Sequence, residues 1–131
     1  MTSQKEIEVI LARQLADYLA MPIFIVDPQG TLIFYNEPAE RILGRRFDET
    51  GEMPVGEWST LFEPTDEEDK PLAPDSLPLV IALTERRPAH RSFWIRGLDR
   101  VRRHIEVTAF PLIGLAERYL GAIAIFWEVG G

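Results

Sequence analysis

The sequence predicts an α+β domain: one five-stranded antiparallel sheet with helices packed on one face and an amphipathic helix ahead of it. Runs rich in β-branched or alternating apolar residues come as an early pair, Ile23–Val26 and Thr31–Tyr35, and a late trio, Arg91–Arg96, Arg102–Leu112 and Tyr119–Val129. Segments with helical spacing stand before the pair and between pair and trio. The late strands are joined only by Gly97-Leu98-Asp99 and Gly114-Leu115-Ala116-Glu117, lengths suited to antiparallel neighbours.

The first helix is announced by Ser3-Gln4-Lys5-Glu6, which has capping-box spacing. Ile7, Ile10, Leu11, Leu15, Tyr18 and Leu19 recur every three or four residues and give it one apolar face, and Pro22 stops it. That stripe is too short for a coiled coil, so its face must lie on the domain's own core or on a second copy. Residues 1–20 are therefore read as an N-terminal amphipathic helix and 21–131 as the domain, with no repeat or linker dividing it.

In the early pair, Asp27-Pro28-Gln29-Gly30 has the residue preferences of a type I turn. Asn36 fits a helix N-cap, because its side-chain oxygen can accept from a first-turn amide. Pro38 is tolerated in that turn, Ala39, Ile42 and Leu43 form an inner face, and Gly44 ends the helix. From Arg45 to Asp75 the periodicity fails, and loops with one or two brief helical turns around Trp58 to Phe62 are expected. Asp75 or Ser76 is expected to cap a further helix through Pro78, Leu79, Val80, Ala82 and Leu83, closed before Pro88.

Composition narrows the function. A chain of 131 residues can bury a core without staples, and with no cysteine it has no disulfide, zinc-thiolate site, cysteine nucleophile or thiol-linked cofactor. A net charge of -7 argues against nucleic acid, whose phosphates are bound by cationic surfaces. The apolar runs are too short to cross a bilayer, and Met1 leads into a polar stretch rather than a cleavable leader, so a cytoplasmic setting is expected. Charge is uneven: Asp48 to Asp75 is acidic with Lys70 as its only base, whereas Arg86, Arg87, Arg91, Arg96, Arg100, Arg102 and Arg103 crowd the next stretch. This reads either as two solvated surfaces that partly neutralise each other or as a docking patch for an acidic partner.

Signals for catalysis are weak. His90 and His104 have no second ligand nearby in sequence and read as exposed or satisfied side chains. Asp66-Glu67-Glu68-Asp69 lacks the alternation and central glycine of a calcium loop. Ser59, Ser76 and Ser92 lie in no nucleophile elbow. Asp27 with Tyr35 could serve as an acid-base pair in a small isomerase or lyase, but the turn already accounts for Asp27.

The stretch PIFIVDPQGTLIFYNEPAERILG, residues 22–44, resembles the opening of PAS sensor domains, and HIEVTAFPLIGLAERYLGAIAIFWEV, residues 104–129, is similar to their last two strands, including Pro111 and Gly121. KPLAPDSLPLVIALTERRPAH, residues 70–90, resembles the long connecting helix of one PAS subgroup. The likeness spans about Leu15 to Val129. It implies a signalling module rather than an enzyme, dimeric through the helix before the first strand and bound to an effector or signalling partner. It also implies a cavity between sheet and helices that takes a small apolar ligand, or is filled by its own Trp58, Phe93 and Phe126. By the family's strand parity, Phe93, Ile95, Ile105, Val107, Ala109, Ala124 and Phe126 face that cavity. Trp94, Ile123, Ile125 and Trp127 then face the other side, where the N-terminal helix or a partner subunit would cover them.

The cofactor is not named by the resemblance, but chemistry removes options. A flavin-cysteinyl adduct and thiol-linked chromophores need a cysteine, and the histidine that holds haem in such domains is absent from SLPLVIALTERRP. A ligand-free dimerisation or interaction module, using the sheet face or the arginine-rich hairpin, is the alternative. The last strand departs from the family pattern, ending in Glu128-Val129-Gly130 where signal-passing members carry Asp-Ile-Thr.

Overall fold

A computed structural model describes residues 21–130, so the expected helix over residues 1–20, with Ile7, Ile10, Leu11, Leu15 and Tyr18, lies outside the described residues. Strands β1 (Ile23–Val26) and β2 (Leu32–Tyr35) come first, followed by helices α1 (Glu37–Leu43), α2 (Phe47–Thr50) and α3 (Val55–Leu61). After a 3-10 turn at Pro74–Ser76 come α4 (Pro78–Glu85) and the long strands β3 (Ala89–Arg96), β4 (Arg102–Ile113) and β5 (Tyr119–Glu128). The five strands form one antiparallel sheet, as expected for this α+β pattern, and their order in it is β2-β1-β5-β4-β3.

The turn between β1 and β2 is built by Asp27. Its Oδ1 accepts from the Gln29 and Thr31 amides at 3.0 Å each, and its carbonyl accepts from Gly30 N at 2.9 Å. Asn36 does more than cap α1. Its Oδ1 accepts from Ala39 N at 3.2 Å and from Ile23 N at 2.9 Å, and its Nδ2 donates to the Met21 carbonyl at 2.8 Å. One buried amide thus ties the start of α1 to the start of β1.

Register sets the two faces. Phe24 pairs with Tyr35 and with Ala124, while Val107 pairs with Phe126 and Ala109 with Ala124, and all of them join the main core with the helices. Residues directly opposite share a face, so the neighbouring positions form a second cluster of Ile23, Ile25 and Ile123 with Phe110, Leu112 and Ile125 against it. Full burial of an Ile or Val side chain contributes about 1.5–3 kcal/mol. A β1 that is apolar throughout therefore stabilises the sheet from both faces.

Two expectations between Arg45 and Pro78 need correction. Neither Asp75 nor Ser76 caps α4: both sit in the 3-10 turn, and the helix begins after Leu77 with no side-chain cap. Pro78 is the cause, because a residue before proline is pushed to extended backbone, and Leu77 has ψ 137°. Helix α2 falls in a stretch read as loop, and α3 starts three residues before Trp58. A single turn such as α2 has no periodicity to detect. Tertiary contacts hold it: Glu40 Oε2 accepts from Phe47 N at 2.8 Å, and the Phe47 ring lies edge-on to Phe34 and Tyr35 at 5.7 and 5.3 Å.

The β3–β4 turn seats the C-terminal end of α1. Leu98 N donates to the Leu43 carbonyl at 2.7 Å, and Arg103 Nη1 donates to the Ile42 carbonyl at 2.8 Å. Arg103 also grips Asp99 with both Nη atoms at 2.8 and 3.2 Å, and this hydrogen bonding holds the Asp99 carboxyl below its ordinary range. That contribution is present above the usual aspartate pKa and is lost as pH falls through the depressed value.

Candidate functional site

Helices α3 and α4 stand off the inner face of β3, β4 and β5 and leave an apolar cavity of about 80 Å³. Trp58, Phe93, Ile95, Ile105, Val107, Ala124 and Phe126 line it, while Ala109 is buried in the same core without reaching the void. Trp58 is locked in place, donating from Nε1 to the Gly30 carbonyl at 2.7 Å with its ring edge-on to Phe24 at 5.6 Å. A buried Trp that finds an acceptor anchors the α3 wall to the β1–β2 turn.

Sequence reasoning missed part of the lining. Phe24 and Leu79 contribute and were open to detection, the first by strand alternation and the second by helix spacing. Phe62, Pro64 and Leu77 also contribute, but they sit in irregular segments where no period predicts direction. A cavity of about 150 Å³ holds benzene. The space here is smaller, because Trp58, Phe93 and Phe126 occupy much of the gap between the layers.

On the opposite face, Ile123 is buried, Ile125 and Trp94 are half-buried, and Trp127 is 36% exposed. Trp94 has an intrachain role that parity did not reveal. Its ring stacks on His104 at 4.5 Å and lies 4.1 Å from the Arg102 guanidinium carbon. His90 Nδ1 shares a hydrogen bond of 2.7 Å with Thr108 Oγ1. Several of the crowded arginines meet acidic groups: Arg87 meets Glu85, Arg96 meets Glu63, Arg102 meets Asp69 and Arg103 meets Asp99. Two of those acids, Glu63 and Asp69, come from the acidic stretch. No cluster of His, Asp or Glu suited to a metal occurs among the described residues.

The Asp27 and Tyr35 pair is not arranged for acid-base work. Asp27 Oδ1 serves two turn amides, and the Tyr35 hydroxyl donates to the Arg45 carbonyl at 2.8 Å. Burial pushes the Tyr35 phenol above its ordinary range, the wrong direction for a base. Asp27→Asn keeps an acceptor in the turn, so it is expected to cost only about 0.5–1 kcal/mol in a urea titration. A loss of several kcal/mol there would contradict this account of the turn.

An antiparallel sheet of this strand order, with its helices on one face and an apolar cavity beneath them, defines a small single-sheet α+β domain. The family model described as PAS domain matches residues 11–78, more than half of the chain, and the chain belongs to the PAS domain family. Solved structures agree in fold. The PAS domain of a protein from Colwellia psychrerythraea is similar with a TM-score of 0.63 at 17% identity, over 93% of this chain and 97% of that one. The PAS domain of nitrogen regulation protein NR(II) from Vibrio parahaemolyticus is similar with 0.62 at 14% identity, over 91% and 98%. The LOV protein of Rhodobacter sphaeroides is similar with 0.72 at 18% identity, over 97% and 69%. At such identities the likeness speaks for the fold alone. No curated protein sequence matches the chain.

Proposed function

We propose that this PAS domain is a cytoplasmic sensory or regulatory module that acts as a dimer and passes the state of its core to a partner protein. PAS domains typically serve as sensory modules of signalling proteins, histidine kinases among them, and are in general not catalysts. Among the described residues no helix is long and apolar enough to cross a membrane.

The observation that carries the reading is the two-faced character of β4 and β5. Val107, Ala109, Ala124 and Phe126 belong to the inner core, while their chain neighbours Phe110, Ile123, Ile125 and Trp127 belong to or border the outer face. Successive residues in a strand point to opposite sides. An occupant that shifts a strand from within is therefore felt on the outer face, where the amphipathic N-terminal helix or a second copy would sit.

Light scattering tests the dimer. The wild-type chain should have the mass of two copies and Leu11→Glu that of one. A wild-type monomer, or a dimer untouched by Leu11→Glu, would sink this interface. Native mass spectrometry tests the core: a bound apolar molecule supports ligand sensing, whereas a clean apo mass puts the ligand-free interaction module ahead. The small cavity, largely filled by its own aromatics, is what favours that second reading.

A further inference from the structure

We propose that a second, outer pocket recognises a zwitterionic small molecule with an apolar body, of the apolar α-amino acid class. This deepens the sensory reading and rests on it, since it names the kind of signal. The pocket has a volume of about 350 Å³ and lies between α3, the loop after it and the ends of β3 and β4. Small-molecule sites span about 300–1,000 Å³, a range that this pocket enters and the inner cavity does not.

Its charged lining consists of two carboxylates and two guanidiniums, Glu63 and Asp69 against Arg96 and Arg102. The opposite charges form ion pairs without hydrogen bonds between them. Arg96 Nε is 3.7 Å from Glu63 Oε2, and Arg102 Nε is 3.7 Å from Asp69 Oδ1, both beyond hydrogen-bond range. Arg102 Nε is buried with no hydrogen-bond partner, its nearest acid being Asp69 at 3.7 Å. The Arg102 guanidinium carbon lies over the Trp94 ring at 4.1 Å from the centroid, and Nη2 donates to the Asp66 carbonyl at 3.2 Å. A buried donor without an acceptor gains a hydrogen bond when a ligand oxygen reaches it. A ligand carboxylate entering where Asp69 now approaches would satisfy a guanidinium already fixed in orientation.

The balance of signs selects the ligand. In a chain of net charge -7 a lone anion meets Glu63 and Asp69, and a lone cation meets Arg96 and Arg102. A molecule with both an ammonium and a carboxylate matches both pairs. Its apolar body has a place as well, because Leu72 lines this pocket and Ser59, Pro64 and Ile95 line both it and the inner cavity. The body would lie against the wall common to the two spaces, which connects the outer site to the core.

Calorimetric titration of the whole chain decides the proposal, with leucine, 4-methylpentanoate and isoamylamine as probes. Leucine should bind, and the acid and the amine should each bind at least about tenfold more weakly. Arg102→Gln and Glu63→Gln should each weaken leucine by about tenfold or more, and Arg102→Lys should not restore it, since it keeps the charge but loses the fork. No binding of leucine, equal binding of the acid alone, or full affinity in folded Arg102→Gln would overturn the proposal. If the variants do not fold, the three probes on the wild-type chain suffice. Light scattering on the same samples separates the two readings: a dimer that ignores leucine removes this site alone, and a monomer that binds it removes the dimeric module alone.

Discussion

Gly121→Ala is expected to be the most damaging single methyl group that can be added to this chain. Gly121 sits at the start of β5 with φ +124°, where a residue with a Cβ is strained. A Cβ there would collide with the Val26 carbonyl oxygen and come within 3.0 Å of Asp27 Cα and 3.1 Å of Asp27 C. All of these are backbone atoms, so no side chain can swing aside. Strain of about 1–3 kcal/mol from the backbone adds to about 1–3 kcal/mol from overpacking. A small domain has only about 5–15 kcal/mol in total. The variant should therefore melt roughly 10–25 °C lower, or accumulate unfolded, when followed by circular dichroism. Melting within a few degrees of the wild type would show that β1 and β5 can separate at this point.

Asn36→Ala should rank next. The residue is 1% exposed, and its loss removes acceptors from the Ile23 and Ala39 amides and a donor from the Met21 carbonyl. The cap alone is worth about 1 kcal/mol, and a buried amide such as that of Ile23, left without a partner, adds about 1–3 kcal/mol. A total of about 2–4 kcal/mol by denaturant titration is expected. Asn36→Asp sharpens the test. It retains both acceptor roles but puts a carboxylate oxygen against the Met21 carbonyl, so it should stay destabilised if the tie to β1 matters. Recovery to wild-type stability in Asn36→Asp would reduce Asn36 to a helix cap.

Local chemistry explains what was legible. The Asp27 to Gly30 turn, the Asn36 cap and the Gly44 stop each depend on residues close in sequence, and the structure places each where its chemistry puts it. The lower-contrast segment from Arg45 to Pro78 was not legible to the same degree. There α2 depends on the Phe47 ring meeting Phe34 and Tyr35, and the loop at Thr65 pairs with Trp94 along the edge of β3 at 2.8 and 2.9 Å. Such partners are far apart in sequence and leave no period behind. The stacking of Trp94 on His104 follows only once β3 and β4 are in register.

The sequence by itself determined the order of helices and strands along the chain and the turn and cap that start it, while the inward faces of β3, β4 and β5 came from its resemblance to the family's strands. The elements follow from local backbone preferences, and alternation along a strand carries the facing of one position to the rest. Only the tertiary structure decided how much space the inner aromatics leave, about 80 Å³, and where Arg102, Glu63, Asp69 and Arg96 gather around about 350 Å³. Volume is a difference between the spacing of layers and the bulk of side chains brought from distant segments, and an electrostatic site is a sum over charges in space. Neither quantity is carried by any single stretch of chain.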